Sequence, residues 1–403
     1  MIPFSPPRID DKIIDAVTEA LKSGWITTGP RTKSLEKEIS AYCGTSSSLC
    51  LNSWTNAVEL FLRWWGVGPG DEVIVPAYTY AATANIVVHC GATPVLCDVD
   101  ENALLDVNAA VRLISQRTKV IMPVDIGGLP FDYPALYQAV REYTAAFGFI
   151  PGSENQRKLG RILILADAAH SFGASLDGVK AGKMADVTGF SFHAVKNLTT
   201  AEGGALTFHL PDSFDSNEVY KELAIKGLHG QTKDALSKMQ AGAWKYDIIE
   251  PGYKCNMTDI QAAIGLVELA RYDEETIPRR KSISSLYSQL LAPYSWAILP
   301  KLQDDRMESS YHLYMLRIRN ASEEQRDSII KKVAEAGVSV NVHFMPLPLL
   351  TCYKNMGFAM QRYPGAYSYY ANEISLPVYF DLSDDQVKTV VSELVNAVEE
   401  VML

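Results

Sequence analysis

The sequence predicts an α/β fold, with a large domain on a mostly parallel sheet over residues 1–258 and a smaller α+β domain over 259–403. Three observations predict it. Short apolar runs alternate with amphipathic stretches through the first two thirds of the chain. Several of those runs are apolar throughout, which marks strands covered on both faces. Beyond Asp259 the pattern changes, and 403 residues are too many for one simple core.

Strands are expected at residues 49–51, 73–75, 94–97, 120–124, 162–166, 187–192 and 205–208. Helical patterns lie between them. In the first, Val58, Phe61, Leu62 and Trp65 follow i, i+3, i+4, i+7 spacing. Alternation of strand and helix gives α/β layering. Residues 148–161 read as a polar loop before a strand. The later part predicts a helix over 259–272, a strand at 311–319, a helix at 323–336 and a strand at 338–344. A last helix is expected from an N-cap at Ser383 to about residue 401.

A 47% hydrophobic and 21% charged composition fits a soluble globular protein with no expected membrane span. The net charge of −10 argues against nonspecific nucleic-acid binding, which needs basic patches. It leaves room for a local basic pocket for a phosphorylated ligand. Cys43, Cys50, Cys90, Cys97, Cys255 and Cys352 form no CxxC pair and no zinc spacing, so no metal site is expected. Reduced thiols in a cytoplasmic protein are the expectation. Residues 1–11 show no basic segment followed by an apolar run, so no signal peptide is expected.

In open α/β sheets, ligands bind beyond the carboxyl ends of the strands. There the sequence puts Asn52, Ser53 and Thr55, then Asp125, then Asp167 and His170, then His193 and Lys196. A lysine on a short turn between buried strands has a lowered pKa and a nucleophilic amine. With Asp167 it points to pyridoxal phosphate, which needs an amine for its aldehyde and a carboxylate for its pyridinium nitrogen. The alternative reading is that Asp167 only caps the next helix and His170 only packs. Ser53, Thr55 and Asn56 open a helix, where capping is the simpler role and phosphate binding the functional one. Ser191 nearby favours phosphate. Tyr78 or Tyr80 would stack on a flat ring. Gly127-Gly128 and Gly203-Gly204 make neither a dinucleotide fingerprint nor a P-loop, and no hydrolase elbow is present.

These residues resemble the DegT/DnrJ/StrS nucleotide-sugar aminotransferases, within the fold-type I pyridoxal phosphate enzymes. The resemblance is dense from about Gly24 to Arg280. It is carried by GWITTGP at 24–30, PGDEVIVP at 69–76, GATPV at 91–95, DAAH at 167–170, SFHAVKN at 191–197 and GYKCNMTD at 252–259. It is weaker later, mainly at Asn341-Val342-His343-Phe344. The resemblance implies that Lys196 carries the cofactor covalently and is the catalytic residue. It also implies that Asp167 pairs with the pyridine nitrogen. His170 stands where the family often has glutamine, against the ring oxygen. Tyr80 is implied as the stacking aromatic, and Thr55, Asn56 and Ser191 as phosphate ligands. Asn256 is implied to reach the phosphate of a neighbouring subunit, hence a homodimer with shared sites. Thr28 and His343 are the candidate substrate residues, although a packed strand histidine is an equal reading of His343.

Two departures stand out. Trp54 replaces a glycine in the phosphate turn, and the loop at 148–161 is longer than usual. The activity implied is transfer of an amino group, with glutamate as donor, to a nucleotide-linked ketosugar, giving an aminosugar for polysaccharide biosynthesis. A related sugar dehydratase would have histidine in place of Lys196. A non-enzymatic sensor or scaffold would not require the Lys196–Asp167 pair.

Overall fold

The computed structural model describes residues 1–233 and 245–402. The first nine strands are β1 (Ser48–Leu51), β2 (Glu72–Pro76), β3 (Thr93–Cys97), β4 (Thr118–Ile121), β5 (Leu163–Asp167), β6 (Ser175–Leu176), β7 (Val179–Lys180), β8 (Val187–Ser191) and β9 (Gly204–Phe208). Seven of them form one sheet in the order β1-β9-β8-β5-β4-β2-β3. Only β9 runs antiparallel to its neighbours; the other pairings are parallel. The fold is therefore α/β with a mostly parallel central sheet, and all seven expected strands are found within a few residues.

Burial on both faces explains their apolar sequence. Val73, Ile74 and Val75 of β2 and Leu163, Ile164 and Leu165 of β5 are wholly buried. The helix Trp54–Trp64 covers one face, with Val58, Phe61, Leu62 and the following Trp65 all turned inward. Burial of each such side chain is worth ~1.5–3 kcal/mol. Ser53 caps this helix by accepting from the Asn56 amide at 3.1 Å.

Residues 148–161 are not simply a loop. They contain a helix, Glu154–Leu159, capped by Ser153, whose hydroxyl also donates to the Trp65 carbonyl at 2.7 Å. Gln156 is buried and donates to the same carbonyl. The insertion braces the end of the Trp54–Trp64 helix. The capping serine is what the polar composition concealed.

The helix Asp259–Ala270 packs against Pro30–Cys43. Asp259 is buried and accepts from the amides of Gly29, Arg31 and Thr32 at 2.8–3.0 Å. Two sequence motifs far apart in the chain thus meet at one carboxylate, which serves the start of the Pro30–Cys43 helix.

The later strands are β10 (Ala297–Ile298), β11 (Met307–Glu308), β12 (Tyr314–Ile318) and β13 (Glu373–Leu376). The order β10-β12-β13 is antiparallel, and β11 pairs with β6. Ile283, Tyr287, Tyr314, Leu316, Ile329, Ile374 and Val390 build a second apolar cluster, which Ile2 also joins. The expected helices are found as Glu323–Glu335 and Asp384–Met402, the latter capped by Ser383.

The expected strand at 338–344 is a correction. This segment makes only isolated bridges, Ile2 with Val338 and Asn341 with Ser375. Its backbone bonds go to two different partners, so no ladder propagates. The six cysteines are unpaired; Cys352 is exposed and the others buried. No helix among the described residues is long and apolar enough to cross a membrane.

Candidate active site

A cavity of about 490 Å³ opens at the carboxyl ends of β5 and β8. Its wall includes Thr55, Tyr80, Asp167, His170, Ser191, Lys196 and His343. Seven of the ten residues expected to form the site are therefore brought together. Asn56, Asn256 and Thr28 lie outside the wall.

Lys196 sits on the connection between β8 and β9. The Phe192 amide donates to the Gly203 carbonyl and the Thr200 amide to the Phe192 carbonyl, both at 2.9 Å. Within that closed turn the Lys196 amide donates to His193. Asn197 then pins the turn to the C-terminal part of the chain, donating to the Ser310 carbonyl at 2.7 Å. Burial lowers the Lys196 amine to about 8, opposed by the charge of Asp167.

Asp167 ends β5 and is buried. Thr83 donates to one of its oxygens at 2.8 Å, and the Ala169 amide to the other at 3.3 Å. Burial raises its carboxyl to about 7 despite those bonds and the charge of Lys196. Asp125, on the connection beyond β4, contrasts with it. Its carboxylate is taken up by Ser171, Tyr133 and the Phe131 amide at 2.6–2.9 Å, and it braces the scaffold.

Three neutral imidazoles complete the wall: His170, His312 and His343. Burial, with the Lys196 charge, holds all three below the usual histidine range, His343 at about 3. The Gly127 amide donates to Nδ1 of His170 at 3.2 Å, which places the ring proton on Nε2. His312 packs on His170 at 4.3 Å and bonds the Asn197 carboxamide oxygen through Nδ1 at 2.8 Å. Because the Asn197 amide nitrogen is already a donor to Ser310, His312 donates here.

The two glycine pairs shape this cavity. A Cβ on Gly128, which has φ +96, would collide with the Ser310 hydroxyl and crowd the His312 amide. A Cβ on Gly204 would collide with the backbone of Ser53 and Trp54. Only glycine lets the β9 strand meet that helix start.

Tyr80 is 64% exposed, with its ring 5.7 Å from Phe344. Tyr78, the other aromatic candidate, is buried and donates to the His343 carbonyl at 2.5 Å. Asn56 donates through its side chain to Asn52 at 2.8 Å and lines a neighbouring groove with Arg63 and Tyr253. Asn256 donates to the Thr28 hydroxyl at 2.6 Å. Thr28 in turn donates to the Met257 carbonyl at 2.6 Å.

Sequence reasoning missed several wall residues. Phe4 and Ser5 reach the cavity from the N-terminal segment, Phe4 stacking on His343 at 5.4 Å. Nothing periodic signals them. His312 reads as a packed histidine in an apolar strand. Thr83 sits three residues beyond the singled-out Tyr80, but only the fold turns it to Asp167.

The donor set fits pyridoxal phosphate. A lysine amine without a hydrogen-bond partner among the described residues faces the same space as a buried carboxyl with no ion pair. The first-turn amides at Trp54 and Thr55 have no intrahelical acceptor, and Ser191 stands beside them on the wall. No cluster of potential metal ligands occurs among the described residues.

Known proteins are similar to this chain along its length. The model of the DegT/DnrJ/EryC1/StrS aminotransferase family matches residues 7–149 and 154–395. The spore coat polysaccharide biosynthesis protein SpsC of Bacillus subtilis is 35% identical, with 99% of this chain and 97% of that protein covered. The putative sugar aminotransferase Spr1654 of Streptococcus pneumoniae, in its PMP-form, is 48% identical over all of both chains, with a TM-score of 0.96. Its PLP-form gives 46% and 0.95, again over all of both chains. The aminotransferase TlmJ of Streptoalloteichus hindustanus gives 28% and 0.85 over 99% of each chain. The chain belongs to the DegT/DnrJ/EryC1/StrS aminotransferase family.

Proposed function

We propose that this protein is a pyridoxal phosphate-dependent sugar aminotransferase whose acceptor is a nucleotide-linked ketosugar and whose donor is glutamate. The observation that carries the reading is the pairing of Lys196 and Asp167 across one cavity in a chain of this family. The bound cofactor supplies an electron sink for the substrate carbon that loses its proton.

Lys196 holds the cofactor covalently and, once released, moves a proton at the reacting carbon. Its lowered pKa keeps a usable fraction of free amine near neutrality. Asp167 keeps the ring nitrogen protonated, and its own raised pKa falls when that cation arrives. His170, with Nε2 carrying the proton, donates to the ring oxygen. Tyr80 covers the ring face. Ser191, Thr55 and the first turn of the helix through Asn56 hold the phosphate.

A homodimer completes the site. Asn256, bonded to Thr28 outside its own cavity, is offered to the partner's phosphate. The exposed apolar residues Ile248, Ile249 and Tyr253 beside it support an interface there. His343 contacts the sugar from its own cavity wall, and Thr28, held beside Asn256 outside that wall, serves the partner's site. The enzyme acts in the cytoplasm, making an aminosugar for polysaccharide. A sugar dehydratase, the second reading, is disfavoured by Lys196.

The test follows the amine-loaded enzyme back to its aldehyde form with each acceptor. Nucleotide-ketosugars should react fastest. The free sugar should lose turnover as well as affinity, because the nucleotide's binding energy acts on the transition state. Fast reaction with simple keto acids and none with any nucleotide-ketosugar would overturn the substrate class.

A further inference from the structure

Behind His343 lies a chain of hydrogen bonds that neither the family motifs nor cofactor binding accounts for. Glu373 and Ser375 are two residues apart on β13, so both face the same way. The segment carrying His343 is locked beside them. The Ser375 amide donates to the Asn341 carbonyl at 2.8 Å, and the Asn341 amide to Ser375 at 3.1 Å. Nδ1 of His343 lies 2.9 Å from the Ser375 hydroxyl, which lies 2.5 Å from one Glu373 oxygen. The other Glu373 oxygen accepts from the His343 amide at 2.9 Å. Glu373 and Ser375 are wholly buried, whereas His343 forms part of the cavity wall.

We propose that Glu373, Ser375 and His343 form a proton relay from a buried carboxyl to the cavity, and that His343 Nε2 is its exchanging end. The context, exchange of a sugar carbonyl for an amine, rests on the function proposed above.

The geometry admits two fully bonded states. With Glu373 ionised, His343 Nδ1–H donates to Ser375, Ser375 donates to Glu373, and Nε2 is bare. With Glu373 protonated, Glu373 donates to Ser375, Ser375 donates to Nδ1, and Nε2 carries a proton. The His343 amide bonds to Glu373 in both. A proton taken at Nε2 therefore releases the Nδ1 proton to Ser375 and the Ser375 proton to Glu373. No imidazolium forms. That matters here, because burial and Lys196 hold His343 at about 3.

The chemistry calls for such a device. When an amine replaces a carbonyl oxygen, two protons leave nitrogen and depart with the oxygen as water. The relay takes one from nitrogen and returns one to oxygen, with no net consumption. Lys196 remains free for the carbon-bound proton. Glu373 is a positioning residue and proton store; it does not reach the cavity.

The surroundings suit a carboxyl that changes state. Burial raises Glu373 to about 8. The nearest cation, Arg326, bonds the carbonyls of Tyr370 and Glu373 and leaves the carboxylate unpaired. Tyr78 and Tyr369 also face Glu373. The other titratable groups on the cavity wall with His343 are Tyr80, Asp167, His170, His193, Lys196, Glu202 and His312.

The test uses the full chain, labelled with ¹⁵N-histidine and free of cofactor, over about pH 6 to 10. His343 should switch from Nε2–H to Nδ1–H as pH rises. Glu373→Gln, whose amide mimics the protonated acid, should stay Nε2–H throughout. Ser375→Ala should disconnect His343 from the titration, which keeps the test decisive if Glu373→Gln folds poorly. The loaded Glu373→Gln enzyme should lose ~10²-fold or more in kcat for the ketosugar at little change in KM. A His343 tautomer that ignores pH in the wild type, or that switches alike in Glu373→Gln or Ser375→Ala, would overturn the relay. Because the tautomer is read without substrate, failure of the sugar assignment would not imitate that result.

Discussion

Two buried carboxyls serve the cavity from different sheets. Asp167 ends a strand of the large sheet, and Glu373 lies on the small C-terminal sheet. Burial raises both, to about 7 and about 8. Their surroundings differ. Asp167 stands on the cavity wall, with space for a cationic ligand. Glu373 is sealed in, each oxygen taken by a neighbour, and reaches the cavity only through Ser375 and His343. Equal burial thus leads to two roles: one carboxyl awaits a partner from outside, and the other has partners from the chain.

The largest effect should come from the residue facing Asp167. Lys196→Ala removes both the covalent anchor and the acid–base group, so turnover should fall by at least ~10²–10⁴-fold in a steady-state assay. Retained turnover would break the pairing of Lys196 with Asp167.

Asp167→Asn separates the carboxyl's cost from its use. Transamination should fall sharply in a folded protein. Stability should move the other way. The cofactor-free native state keeps the Asp167 proton up to about 7, whereas the unfolded chain releases it near pH 4. Native stability therefore declines as pH rises through that window. The asparagine variant escapes the decline and should be more stable above it by ~1–4 kcal/mol, with little difference below about pH 4. Thermal melts across pH read this directly. Near-normal turnover of Asp167→Asn would reduce the residue to a helix cap.

Mixing Lys196→Ala with Asn256→Ala subunits tests sharing between protomers. Each hybrid dimer would regain one intact site, and random mixing should restore about a quarter of wild-type activity. An active monomer in sedimentation would contradict the shared site.

The smallest effect should separate two adjacent residues. Thr55→Ala should weaken cofactor retention measurably. Asn56→Ala should weaken it less, since its amide already bonds Ser53 and its side chain Asn52.

The same contrast explains what was legible. The Asp167 side could be read because buried parallel strands are continuous apolar runs, and their ends flag Asp167, Ser191 and Lys196 in order. The Glu373 side could not. A glutamate flanked by Asn372 and Ile374 reads as the exposed face of a short strand. The segment at 341–343, Tyr78 and Arg326, all arriving from elsewhere in the chain, surround it together with Tyr369. The 341–343 segment itself reads as part of a strand, yet the bridges of that stretch go to Ile2 and Ser375 separately and build no ladder. His312 was hidden for a related reason: it is held by Asn197, more than a hundred residues away in sequence.

The central claim is that Lys196 is the covalent anchor of pyridoxal phosphate opposite Asp167. Borohydride reduction of the yellow holoenzyme, followed by peptide mapping, tests it most directly. The account predicts the reduced cofactor on the peptide containing Lys196. Its recovery on any other lysine would contradict the assignment.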